Sequence, residues 1–180
     1  MDGLAAIWPP SRTQIDGVSI GDAWRCSSLP QQPPAKPWEG IAPFHKLTQW
    51  LCYSIMVPMT RLMKIHFAGA ELLTGLPEYR NGGLLIDLGL LTLKDAEMER
   101  GLKAYEDNAR REGQPSMEVV PVFSADDDVI VEWRAVTVGF LDDLLEEVNH
   151  QLGLRGDDAL SLAQLLEAGT WKVGHLFQFQ

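Results

Sequence analysis

From Phe44 onward the apolar positions fall into a helical rhythm, with Phe44, Leu47, Leu51 and Ile55 recurring at steps of three and four residues. Pro43 suits the first turn of such a helix, where its missing N–H has no intrahelical partner to lose, and Pro58 should end or kink it. The next stretch, "MKIHFAGAELLTG", is short and apolar, with Gly75 and Pro77 as its stop. In "GGLLIDLGLLTL" the apolar run is nearly continuous, so periodicity alone does not separate a buried helix from a buried strand. Residues 95–112, rich in Glu, Lys, Arg and Ala, predict a solvated helix. The strongest rhythm lies between Asp126 and Leu152, where Ile130, Trp133, Thr137, Phe140, Leu144 and Val148 form one stripe. It predicts a long helix over 126–152 with Trp133, Phe140 and Leu144 buried. Ser124 and the run Asp126 to Asp128 offer capping oxygens and negative charge at its start. A last short helix should follow Ser161, with Gln164 placed for a capping box and Gly169 as its stop.

Before Phe44 the pattern changes. The first 43 residues hold seven of the 11 prolines, so this segment is expected to be extended or turned rather than helical. Trp8, Trp24 and Trp38 are spread through it, and three indoles imply a surface that buries them. "IDGVSIGDAW" carries the Asp-Gly and Gly-Asp marks of two turns around a short apolar segment. The expected fold is mainly α, an irregular Pro/Trp-rich N-terminal arm packed on a helical body, with room for a short β-hairpin. At 180 residues one core is the expectation for 1–180, divided into the arm (1–43), the helical body (44–170) and an atypical tail (171–180).

Composition narrows the function classes. With 15 basic and 25 acidic residues the formal charge is −10, which repels nucleic acid and anionic lipid. No apolar run approaches the roughly 18 residues a membrane span needs, and the opening "MDGLAAIWPP" lacks a signal-peptide layout, so a soluble, cytoplasmic chain is expected. Cys26 and Cys52 stand alone, which suggests reduced thiols rather than a disulfide or zinc site.

Charge is informative where its surroundings are apolar, because an uncompensated buried charge is costly and is usually paired or functional. Asp87 sits within "LLIDLGLL", and Glu132 and Arg134 flank Trp133 in "VIVEWRAVTV". The stretch "TGLPEYRNGG" places Glu78, Tyr79, Arg80 and Asn81 in a connection that needs only to turn. Asp87 is either a cap or ion-pair partner of Arg80 or Arg134, or a desolvated carboxylate poised for acid–base or nucleophilic work. Glu132 and Arg134, two apart on a helix, point to nearly opposite sides and each needs another partner. Arg80 with Glu78 or Asp87 would supply them and join loop and helix into one polar cluster. The four histidines show no metal spacing, and His45 alone lies near other polar candidates. GxSxG, P-loop and GxGxxG signatures are absent, so no cofactor is implied.

With those residues on the page, the blocks "WPPSRTQIDGVSIGDAWRC", "GIAPFHKLTQWLCYSI", "LTGLPEYRNGGLLIDLGLL", "DDDVIVEWRAVTVGFLD" and "LLEAGTWKVG" resemble, in that order, blocks of the uracil catabolism protein 4 family. The resemblance implies a part in pyrimidine degradation, in a pathway that opens the uracil ring while the base is attached to ribose and so passes through a ribosyl-urea type intermediate. Family members typically have a sizeable region before the Trp-rich blocks and a basic segment after "GTWKVG", where this chain has "HLFQFQ". A C-terminal portion of a family member is the resulting expectation, with an inactive fragment among its alternatives.

Under that resemblance the candidates take roles. Cleaving a ribosyl C–N bond builds an oxocarbenium-like centre that a carboxylate stabilises while an acid protonates the departing nitrogen, by analogy with glycosidases. Asp87, Glu132 and Glu78 are the candidate catalytic carboxylates. Arg80 or Arg134 would clamp a ribose phosphate, Tyr79 and Asn81 would read a urea or uracil edge, and His45 joins them as a binding residue. Gly82 and Gly83 would let backbone approach a ligand. The expected partner is a small nucleoside, nucleotide or ribosyl-urea, without metal, nucleic acid or membrane, and the oligomeric state stays open. A non-enzymatic binding component of the same pathway is the alternative. A phosphoribosyltransferase is weaker, since no acidic pair precedes a small-residue phosphate loop.

Overall fold

The computed structural model describes residues 7–29, 33, 36, 38–70, 73, 75, 76, 79–113, 119–166, 168 and 169; the tail 171–180 lies outside them. The fold is mainly α, with two small antiparallel ladders. β1 (Gln14–Ile15) pairs with β2 (Val18–Ser19) through a turn whose Asp16 and Gly17 have φ of 51° and 77°. A two-residue turn with both central φ values positive matches the strand twist, and Asp-Gly is among the pairs that adopt it at least cost. β3 (Ala23–Arg25) pairs with β4 (Ile41–Pro43), setting Trp24 opposite Ala42.

Pro43 is therefore a strand residue, opposite Ala23, and not the first turn of a helix. Helix α1 (Lys46–Met63) begins after His45, whose φ of 48° and ψ of 40° turn the chain out of β4. Nor does Pro58 end α1, which runs on to Met63. Proline at that position removes one backbone hydrogen bond, to the Ser54 carbonyl four residues back, and the turns on either side keep theirs. α2 (Tyr79–Asp87) resolves the ambiguous apolar run as a helix as far as Asp87. α3 (Asp95–Glu112) matches the charge-rich segment, and its Gly101 carbonyl accepts the Val122 N–H at 3.0 Å.

α4 (Asp128–Gln151) is the long helix, capped by Asp127, whose side chain accepts the Val129 N–H at 3.0 Å. One side of it packs on the β3/β4 ladder, where Val131 meets Trp24, Cys26, Ala42 and Phe44, with Ala135 and Val138 alongside. Another side faces α2. The expected buried stripe is corrected here. Val131, Thr137 and Leu141 are the buried positions of α4, Trp133 is half-buried, and Phe140 and Leu144 remain 43% and 39% exposed. The segment 129–138 is apolar almost all round, so its neighbours choose which row is buried, and the ladder and α2 choose the row beside the one that spacing favours.

The indoles divide. Trp24 is buried in the core, Trp8 is half-buried against Gly21, and Trp38 is 57% exposed with Lys36 Nζ 5.4 Å over its ring. α5 (Leu162–Leu166) opens with the expected capping box, Ser161 N–H donating to Gln164 Oε1 at 2.9 Å and Gln164 N–H to Ser161 Oγ at 3.4 Å. No helix among the described residues is long and apolar enough to cross a membrane.

Candidate functional site

Helix α2 is positioned by the absence of a side chain. A Cβ built on Gly82 would lie 2.6 Å from Trp133 Nε1 and 2.7 Å from Thr137 Oγ1, so only glycine lets α2 approach α4 this closely. Leu85 and Asn81 are buried on the same side of α2, and Asn81 Nδ2 donates to the Leu76 carbonyl at 3.0 Å, folding the preceding connection onto the helix. Gly75 repeats the device, since a Cβ there would collide with Leu141 Cδ1.

Between α2, α4 and α5 lies a cleft of about 90 Å³, lined by Leu84, Leu85, Phe140, Leu141, Leu144 and Leu166, with Asn81 as its amide. Asn81 is 5% exposed; one N–H of its Nδ2 is engaged by Leu76, and its Oδ1 is an acceptor without a partner. Trp133 Nε1, against Gly82, is likewise buried without a partner. A buried polar atom left unpaired costs about 1–3 kcal/mol, so such atoms point to a role or to a missing donor or acceptor.

Of the sequence candidates Asn81 lines this cleft, while Arg80, Asp87, Glu132, Arg134 and His45 are not among its lining residues. Arg80 and Asp87 stand exposed on the side of α2 turned away from Asn81, Gly82 and Leu85. Asp87 is thus no desolvated carboxylate; the leucines around it in sequence surround it in chain order, not in space. Glu132 is half-buried, and about 200° of helix rotation separates it from Arg134 on α4. Glu78 lies outside the described residues, and for Tyr79 the backbone within α2 is what is described.

Arg134 is engaged elsewhere. Its Nη1 and Nη2 donate to Asp22 Oδ1 and Oδ2 at 3.0 and 2.9 Å, and its guanidinium lies 4.1 Å over the Phe44 ring. Asp22 also accepts Trp24 Nε1–H at 2.7 Å and the Lys46 N–H at 3.0 Å, while its carbonyl accepts the Phe44 and His45 N–H groups. Arg134 engages the Asp22 carboxylate, whose lone pairs are filled, and the His45 N–H engages the Asp22 carbonyl, which is the chemistry of a joint and not of a ligand clamp. Burial pushes the Asp22 carboxyl up, yet the hydrogen bonds from Arg134, Trp24 and Lys46 outweigh it and hold the group below its ordinary range. Asp22 was not legible as a partner, because "IGDAW" reads as turn punctuation. Among the described residues no group of three His, Cys, Asp or Glu side chains could hold a metal ion.

The chain belongs to the family described as protein of unknown function (DUF1688), whose model matches residues 1–178. It is 46% identical over 179 residues to uracil catabolism protein 4 of Lachancea kluyveri, an alignment covering 97% of this chain and 38% of that protein. It is 43% identical over 173 residues to protein urg3 of Schizosaccharomyces pombe, covering 96% of this chain and 36% of that one. The chain thus spans less than two-fifths of the length of these relatives. No solved structure gives a significant match.

Proposed function

We propose that this chain serves uracil or pyrimidine degradation as a binding component, holding a nucleoside, nucleotide or ribosyl-urea intermediate in the cleft between α2, α4 and α5. The pathway rests on the name of the Lachancea relative. The role rests on one observation: Asn81, whose buried Oδ1 has no partner, is the polar side chain among the described residues lining an otherwise apolar cleft. Ureido and pyrimidine N–H groups are the donors that such an acceptor lacks, and Phe140 and Leu144 offer apolar surface to the flat group that carries them. A dry cavity of ~150 Å³ takes benzene. At about 90 Å³ the cleft suits a ureido group or the edge of a ring, with the ribose outside.

N-glycosidic hydrolysis, the finer reading, needs an acid and a stabilising carboxylate converging on one bond. Among the described residues the cleft is lined by no carboxylate, and Asp87 is exposed away from it, so binding is favoured over catalysis. Calorimetric titration of the chain with uracil, uridine, uridine monophosphate and ribosyl-urea tests this, alongside an assay for ribose release. Saturable binding of one of these, weakened about 5- to 150-fold in Asn81→Leu with the far-ultraviolet circular dichroism unchanged, is the expected result. Ribose release by the chain, or absence of binding to all four, overturns the reading.

A further inference from the structure

Helix α1 has no buried residue along its 18 positions. Leu47, Trp50, Leu51, Ile55, Val57 and Leu62 are exposed by 43% to 82%, and with Met63, at 64%, they extend around about 240° of its circumference. Its charged residues are Lys46 and Arg61, with no acid. It is held near its start, where Lys46 N–H meets Asp22 and Gln49 Nε2 donates to the Phe44 carbonyl at 2.9 Å, and by Tyr53 Oη donating to the Leu73 carbonyl at 3.3 Å. A surface helix of a finished domain shows one apolar stripe and one polar face, whereas a helix apolar on most sides belongs inside a larger core.

We infer that the apolar faces of α1 are an interface whose occupant is the region that longer family members carry outside the segment matched here. That region is large, since the match takes up 38% of the Lachancea protein and 36% of the Schizosaccharomyces one. Breadth of coverage and charge favour it over a second copy of this chain. A two-fold pairing lays one face of α1 against its twin and leaves the remaining apolar arc in water. Two copies also bring together net charges of −10 each, which resist association. A polypeptide that wraps α1 on both flanks answers the whole arc at once.

The test co-expresses this chain with the unmatched region of the Lachancea protein, so that a region folding only on its partner is still recovered, and reads mass by light scattering on a sizing column. A one-to-one complex is expected, with α1 amides gaining hydrogen-exchange protection within it. Leu51→Asp with Ile55→Asp should weaken the complex at least tenfold and leave the circular dichroism of the free chain unchanged, because both side chains are exposed and neither belongs to the buried core. A homodimer of the 20.0 kDa chain that persists beside the other region overturns the inference. So does a monomer that ignores it, or a complex indifferent to the two substitutions.

Discussion

Arg134 and Asp22 form a two-pronged ion pair, at 3.0 and 2.9 Å, between residues 112 positions apart in the chain. Both side chains are mostly buried, at 16% and 13% exposure, and removing one partner of such a pair leaves the other charge uncompensated. Asp22→Ala and Arg134→Ala should each lower the unfolding free energy by about 3 kcal/mol. The double variant should lose clearly less than the sum, since each single change already abolishes the shared contact. Urea melts of the four proteins decide this, and strict additivity would mean that the two act independently.

The same carboxylate sets a pH dependence of known sign. Asp22 has a lowered folded-state value, so in acid the unfolded chain takes up its proton first. Its stabilisation is full above about pH 5 and is lost as pH falls below about 4, through the lowered folded-state value. Asp127, held down chiefly by the hydrogen bonds from Arg100, acts in the same direction. The difference in unfolding free energy between the unmodified chain and Asp22→Asn should therefore be flat near neutrality and shrink on acidification. A difference that grows in acid contradicts the assignment.

Adjacent glycines of α2 should respond oppositely to alanine. At Gly82 the new methyl would lie 2.6 Å from Trp133 Nε1, and overpacking of this kind costs about 1–3 kcal/mol. At Gly83 nothing lies within 4 Å, so alanine should stabilise the helix by about 0.5–1 kcal/mol through its better propensity. Thermal denaturation midpoints moving the same way for both would place α2 differently against α4.

Asp87→Asn and Glu132→Gln offer a negative prediction. Asp87 stands in solvent, and exposed substitutions of this type change stability by no more than about 0.5 kcal/mol. Neither replacement should shift the affinity for a ureido or pyrimidine ligand by more than about twofold, as read by titration calorimetry. A large loss in either would return that carboxylate to the site.

Much of the helical architecture was readable from local pattern. Asp95–Glu112 and the capped start of α4 follow from charge, propensity and capping chemistry, which act within a turn of the residues concerned. What spacing does not carry is the choice among equivalent faces. α4 is apolar at Ile130 and Val131, at Phe140 and Leu141, and a one-residue difference of phase is settled by Trp24 and Phe44 on one side and Gly82 on the other. The geometry of the candidate residues was legible in part. Asn81, singled out as an amide beside paired glycines, lines the cleft, whereas Asp87 is exposed because flanking leucines in sequence are on other sides of a helix in space. Asp22 could not be found from its neighbours, since the partner that gives it meaning is more than a hundred residues away.

The contact between Gly82 and the Trp133 indole fixes more than a spacing. A helix nine residues long can rotate about its own axis with little change in its backbone hydrogen bonds, and a missing Cβ is a notch that fits its neighbour at one angle of rotation. Turned by a single residue, α2 would present Gly83 to the indole and swing Asn81 away from the Leu76 carbonyl. The direction in which the Asn81 amide points is thus keyed by the residue beside it, which has no side chain with which to bind anything.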